Sequence, residues 1–219
     1  MLKRILRFLN FKKISKAIGL FIPHAMYIKW VKKLAINPLL ILIEAQHGGE
    51  ISGNMFYLLK ELTTNKEYDK YTIYVSCRKN SKKKIKAILD SYGIENCKLV
   101  HCYSLPYLKV VASAKYLFND NTFLPFFIKK DGQVYLNTWH GTPLKTLGKG
   151  IKNAMHNIGN TQKNFVCADY LLYPNEYTMN HMIEDYMIEN ISNAQCVLTG
   201  YPRNAVFLDK ERANEIRQK

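Results

Sequence analysis

Acidic residues are missing from the first 43 positions: Glu44 is the first, and nine Lys or Arg precede it. The five cysteines (Cys77, Cys97, Cys102, Cys167 and Cys196) contain no CxxC pair and are odd in number. That argues against a disulfide framework or a zinc ribbon. Scattered within apolar runs, they read as small core residues of a reducing compartment. No apolar run approaches the roughly 18–20 residues of a membrane-spanning helix. The basic N-terminal stretch has no small-residue cleavage site, so a signal peptide is not expected. There is no GxGxxG, no phosphate loop ending in GK[ST], no internal repeat and no low-complexity linker. Helix-turn-helix, zinc-finger and RNP signatures are also missing, so nucleic acid is not an expected partner. Neither a metal nor another cofactor is expected.

What is present is a chain of 219 residues, 47% apolar, long enough to bury a real core. Its net charge of +15 implies an anionic partner, either a lipid surface or a phosphorylated substrate. In "MLKRILRFLNFKKISKAIGLF", Leu2, Ile5, Leu6 and Leu9 share one helical face and Lys3, Arg4 and Arg7 the other. The pattern restarts out of phase after Asn10, with Ile14, Ala17, Ile18 and Phe21 set against Lys12, Lys13 and Lys16. Two short amphipathic helices with basic faces suit an anionic membrane surface. Residues 1–38 are accordingly expected to form a membrane-associating segment at the cytoplasmic face of the cell membrane, with a helical extension packed on the domain as the plainer reading.

From residue 39 strand-like and helix-like runs alternate. The strand-like runs are 39–45, 71–76, 98–102, 116–119, 133–139, 170–173 and 195–199; helical runs are expected at 53–62, 81–92, 105–114, from 144 onward and at 176–188. Such alternation predicts a Rossmann-like α/β domain over 39–208, a parallel sheet with helices on both faces. Ligands of such sheets sit in the loops at the carboxyl ends of the strands.

Two of those loops stand out. "QHGGEISGN", Gln46 to Asn54, carries two adjacent glycines that permit a tight turn and close backbone approach. It fits a plain strand-to-helix turn as well as a substrate contact made by His47, Gly48, Gly49 and Asn54. "VYLNTWHGTPLKTLGKG", residues 134–150, changes from an apolar run to His140-Gly141 and then to what reads as a helix start. Thr142 could cap that helix and Pro143 suits its first position. The helix end would make an anion site, with Lys145 and Lys149 adding charge, and no acid occurs from Gly132 to Ala168. A histidine beside that positive end would favour the neutral imidazole that can take a proton from a hydroxyl. On spacing alone, a structural histidine in the turn is an equal alternative.

"NTWHGTPLKTLGK" resembles the signature segment of the CDP-glycerol glycerophosphotransferase family of teichoic-acid and capsule synthesis. "ILIEAQHGGEISGN", "AKYLFNDNTFLPFF" and "VLTGYPRNAVF" agree, so the resemblance spans about residues 39 to 208. It implies the N-terminal, acceptor-side half of a GT-B type fold. The reaction implied moves glycerol phosphate from CDP-glycerol to a hydroxyl of a lipid-linked glycerol-phosphate or polysaccharide acceptor, without a required metal. By the same resemblance, His140 is the general base, Gly141, Thr142 and Pro143 shape the loop, and Lys145 contacts phosphate. Arg203 is expected to contact substrate. Residues 209–219 would begin a linker to a donor domain holding CDP-glycerol. A non-catalytic module that binds a phosphorylated glycan or lipid-linked acceptor at the membrane is the alternative.

Overall fold

A computed structural model describes residues 11–152 and 155–208, with residues 214, 217 and 218 of the tail. The amphipathic pattern expected over residues 2–9 lies outside them, as does most of the linker expected at 209–219.

Seven strands form one sheet: β1 (Asn37–Glu44), β2 (Thr72–Cys77), β3 (Cys97–His101), β4 (Ala114–Asn119), β5 (Val134–Asn137), β6 (Tyr170–Leu172) and β7 (Gln195–Val197). Their order is β3-β2-β1-β4-β5-β6-β7, and every pairing is parallel. Each strand falls within or beside a run the alternation predicts. The signal is clear because central parallel strands are buried on both faces and therefore read as continuous apolar stretches. In β1, Leu40, Ile41, Leu42 and Ile43 are all buried. Alternate side chains serve opposite layers. Ile41 and Ile43 join Ile73 and Val75 beneath α2 (Gly53–Thr64) and α3 (Lys82–Ser91), through Met55, Leu59, Ile85 and Leu89. Leu40 and Leu42 face the other layer with Leu117 and Tyr135, covered by α4 (Leu105–Ser113), α5 (Met155–Cys167) and α6 (Glu176–Asp185).

One helical expectation is extended by the structure and another is overturned. The second of the two expected N-terminal helices falls within α1 (Phe11–Lys33), which runs on past Phe21 with Pro23 inside it. Its last turns bury Tyr27 and Trp30 in the core, with Met26, Val31 and, just past the helix, Leu34 packed against it. Tyr27 donates its hydroxyl to the Ile128 carbonyl at 2.8 Å, and Lys109 of α4 lies over the Trp30 ring at 5.3 Å.

The helix expected from Leu144 is not there. Residues 141–147 form an irregular loop, followed by a single 3-10 turn at Gly148–Gly150, and the helix begins at Met155. The apolar spacing of Leu144, Leu147 and Ile151 imitates a helix, but only Leu147 packs against the core while Leu144 is 93% exposed, so no continuous apolar face is buried to hold one. Gly148 sits at φ +50°, and a Cβ there would stand 1.9 Å from the Asp185 carbonyl oxygen. Thr142 and Pro143 therefore cap nothing, and no helix starts after His140 to set its positive end beside it.

Candidate functional site

In this strand order the chain turns back between β1 and β4, so the loops leaving those two strands diverge and open a crevice at their carboxyl ends. The loop after β5 borders the same crevice.

The β1 loop is a tight left-handed turn, with Gln46 at φ 50°, His47 at φ 51° and Gly48 at φ 71°. Its geometry is fixed from both sides. The Gln46 amide donates to Asp120 Oδ1 at 2.9 Å, Arg78 donates its Nε to the His47 carbonyl at 2.9 Å, and the Arg78 amide donates to the Gly48 carbonyl at 2.7 Å. Gly48 is buried against Cys102 and the backbone of residues 77–78, so its missing side chain makes room for the protein itself. Gly49 closes the turn by donating to the Gln46 carbonyl at 3.0 Å. The half-buried His47 imidazole lies against Thr122 and Asn121. Burial first, then the charges of Arg78 and His140, hold it below the usual histidine range.

After β5, Asn137 turns the chain by accepting the Trp139 amide on its Oδ1 at 2.9 Å. Trp139 is buried at φ 50°, and its ring stacks on His140 with centroids 4.2 Å apart. The exposed His140 places Nδ1 2.8 Å from the backbone oxygen of Asp120. A carbonyl only accepts, so Nδ1 carries the proton and the neutral ring keeps its Nε2 lone pair free. The geometry thus produces, without a helix end, an imidazole able to take a proton.

Arg203 donates Nη1 to the His140 carbonyl at 3.1 Å, and its guanidinium lies 4.8 Å from the Tyr201 ring centroid. Asn54 meets the same corner but is buried, with its amide bonded within the protein. Gly141 opens onto free space, and Lys145 is exposed. Thr142 accepts a hydrogen bond from the Thr178 hydroxyl of α6 at 3.3 Å. Lys149 pairs with Glu184 of α6 at 3.1 Å. The structure therefore brings His47, His140, Asn54 and Arg203 to one corner, whereas Thr142 and Lys149 face α6.

Several groups at the crevice were not picked out from the sequence: Glu44, Arg78, Asp120, Asn121, Thr122 and Trp139. Their signals are faint: one acid closing an apolar run for Glu44, and the polar pair Asp120-Asn121 directly after β4. Burial pushes Glu44 up to about 7, although Tyr107 donates a hydrogen bond to its Oε2 at 2.6 Å. Burial likewise raises Asp120 to about 6. Among the described residues, no group of three His, Cys, Asp or Glu is arranged to hold a metal.

A parallel sheet with polar loops gathered over its carboxyl ends, at the point where strand order reverses, defines a Rossmann-like α/β domain. The chain matches the model of the CDP-Glycerol:Poly(glycerophosphate) glycerophosphotransferase family over residues 25–219, and it belongs to that family. It is 29% identical to the teichoic acid poly(glycerol phosphate) polymerase of Bacillus spizizenii, over 88% of this chain and 48% of that protein. It is 30% identical to the teichoic acid glycerol-phosphate transferase of Staphylococcus aureus, over 92% of this chain and 51% of that protein. Its fold superposes on the wall teichoic acid polymerase TagF with a TM-score of 0.71 at 22% identity, covering 96% of this chain and 51% of that one. The chain spans about half the length of these two relatives.

Proposed function

We propose that this chain is the acceptor side of a glycerophosphotransferase that moves glycerol phosphate from CDP-glycerol to a hydroxyl of a membrane-linked acceptor. Family membership and the likeness to glycerol-phosphate transferases support this reading. One observation carries the mechanism: the Nδ1–H of His140 is committed to the Asp120 carbonyl, so Nε2 faces outward as a proton acceptor. The acceptor hydroxyl gives its proton to Nε2 while its oxygen forms a bond to the transferred phosphorus. The bond from that phosphorus to CMP breaks, and the electron pair leaves with CMP. General-base help of this kind contributes about 10²- to 10⁴-fold.

Arg203 and Lys145, with His47 alongside, supply the electropositive, hydrogen-bonding surround that holds the acceptor phosphate near the base. Both of these relatives are about twice as long as the matched part. In this proposal CDP-glycerol is held by a further domain of the full-length enzyme, joined through residues 209–219. The basic N-terminal segment rests on an anionic leaflet.

The test is CMP release by the full-length enzyme with wild-type and variant chains, beside thermal melts. His140→Ala abolishes transfer with the melt unchanged, and His140→Gln is nearly as inactive. Lys145→Ala raises the KM for acceptor and leaves kcat within a few-fold. A Gln variant that keeps most of the rate makes His140 a turn residue. Robust CMP release by residues 1–219 alone overturns the division of labour.

A further inference from the structure

The residue that aims His140 is held in an unfavourable backbone conformation. Trp139 at φ 50° is left-handed, which for a bulky side chain costs about 1–3 kcal/mol and persists only where the surroundings over-determine it. Both of its peptide groups are pinned. The Trp139 amide donates to Asn137 Oδ1 at 2.9 Å, and the Trp139 carbonyl accepts from the Thr138 hydroxyl at 2.8 Å and from Asn54 Nδ2 at 3.3 Å.

Asn54 comes from the first turn of α2, far away in sequence, and is only 2% exposed. Its Nδ2 also reaches Thr138 Oγ1 at 3.3 Å, while its Oδ1 accepts the Arg203 amide at 3.4 Å. Arg203 then returns its guanidinium to the His140 carbonyl. One buried amide thus ties the start of α2, the 138–140 corner and the segment at 203 into a closed set of bonds around the histidine.

We propose that Asn54 is a positioning residue. It holds Trp139 in the left-handed region so that His140 directs Nδ1–H at the Asp120 carbonyl and presents Nε2 to the crevice. Without its N–H donor the Trp139 peptide relaxes, the imidazole swings off Asp120, and the ring reverts to the Nε2–H tautomer that free histidine prefers in water. That tautomer has no lone pair where the acceptor proton must go. The geometric part stands on this chain alone; the kinetic part rests on the proposed role of His140 as base.

The experiment reads both parts separately. In 15N-histidine-labelled protein, the His140 ring nitrogens are assigned by their loss in His140→Gln, and the tautomer is read from their shifts. Wild type shows Nδ1–H; Asn54→Ala and the equally branched Asn54→Leu, which has no donor, show a mixed or Nε2–H ring. In the full-length enzyme the same variants lower kcat by about 10²-fold, the scale of a misplacement of about 1 Å, with the KM for CDP-glycerol within two-fold. An unchanged Nδ1–H tautomer in either folded variant overturns the proposal. A tautomer change with undiminished transfer upholds the positioning and overturns His140 as base.

Discussion

Cys102 fills the space that a side chain at Gly48 would need: a Cβ there would stand 2.2 Å from the cysteine Sγ and 3.2 Å from the Arg78 nitrogen. With φ at +71°, an L-residue is strained at that position before any contact is counted. Gly48→Ala is therefore expected to destabilise by about 2–4 kcal/mol in urea unfolding. Adding Cys102→Ala recovers the part due to the clash and leaves the part due to φ. A single variant as stable as wild type would show that the β1 loop is free to move.

Glu44 gives a pH signature. Its carboxyl is pushed from 4.5 up to about 7 by burial, so the folded chain binds this proton more tightly than the unfolded one. The associated stability is complete below about pH 4.5 and is lost as pH rises through about 7, a change on the order of 3 kcal/mol. Glu44→Gln, which can still accept from Tyr107, should gain relative to wild type between pH 5 and pH 8 by roughly that amount. Parallel urea melts at the two pH values check it; identical slopes for the two proteins would count against a neutral, buried Glu44.

The last turns of α1 are core. Trp30→Ala is expected to lower stability by about 3–5 kcal/mol, as for a large side chain removed from packing. Phe21→Ala, at a residue 70% exposed, should stay within about 0.5 kcal/mol. Thermal melts separate the two, and similar losses at both sites would mean that the whole helix packs on the domain.

Membrane docking has its own readout. Phe21 and Ile22 are exposed on α1, and Lys29, Lys32 and Lys33 follow them. The chain should float with phosphatidylglycerol vesicles at about 0.1 M salt and release near 1 M, where the Debye length shrinks to about 3 Å. Phe21→Ser with Ile22→Ser should weaken binding at low salt. Equal flotation with neutral vesicles would rule out the electrostatic part.

The sheet was legible because each strand is an apolar run closed by polar loops, and a parallel sheet offers few other arrangements for seven of them. The helices were less so. Residues 22–33 mix lysines with Tyr27 and Trp30, and their apolar stripe is recognisable only once α4 is seen beneath it. α5, "MHNIGNTQKNFVC", lies within the helical run expected from 144 onward but begins later, and its Asn160 and Asn164 turn inward to hold Phe123 by hydrogen bonds. At the site, His140 and the glycine turn announced themselves by sitting at strand ends. Asp120 did not, because what it offers His140 is a backbone carbonyl, which no residue type encodes.

The stack of Trp139 on His140 has an optical consequence. An imidazolium beside an indole quenches its emission, and a neutral imidazole does so far less. The chain has only two tryptophans, and the other, Trp30, sits on α1 with Lys109 of α4 over its ring. Replacing Trp30 with Phe leaves a single tryptophan, which can be excited apart from the 15 tyrosines and whose brightness follows the protonation of the stacked histidine, so the state of the proposed base can be watched directly as acceptor is added.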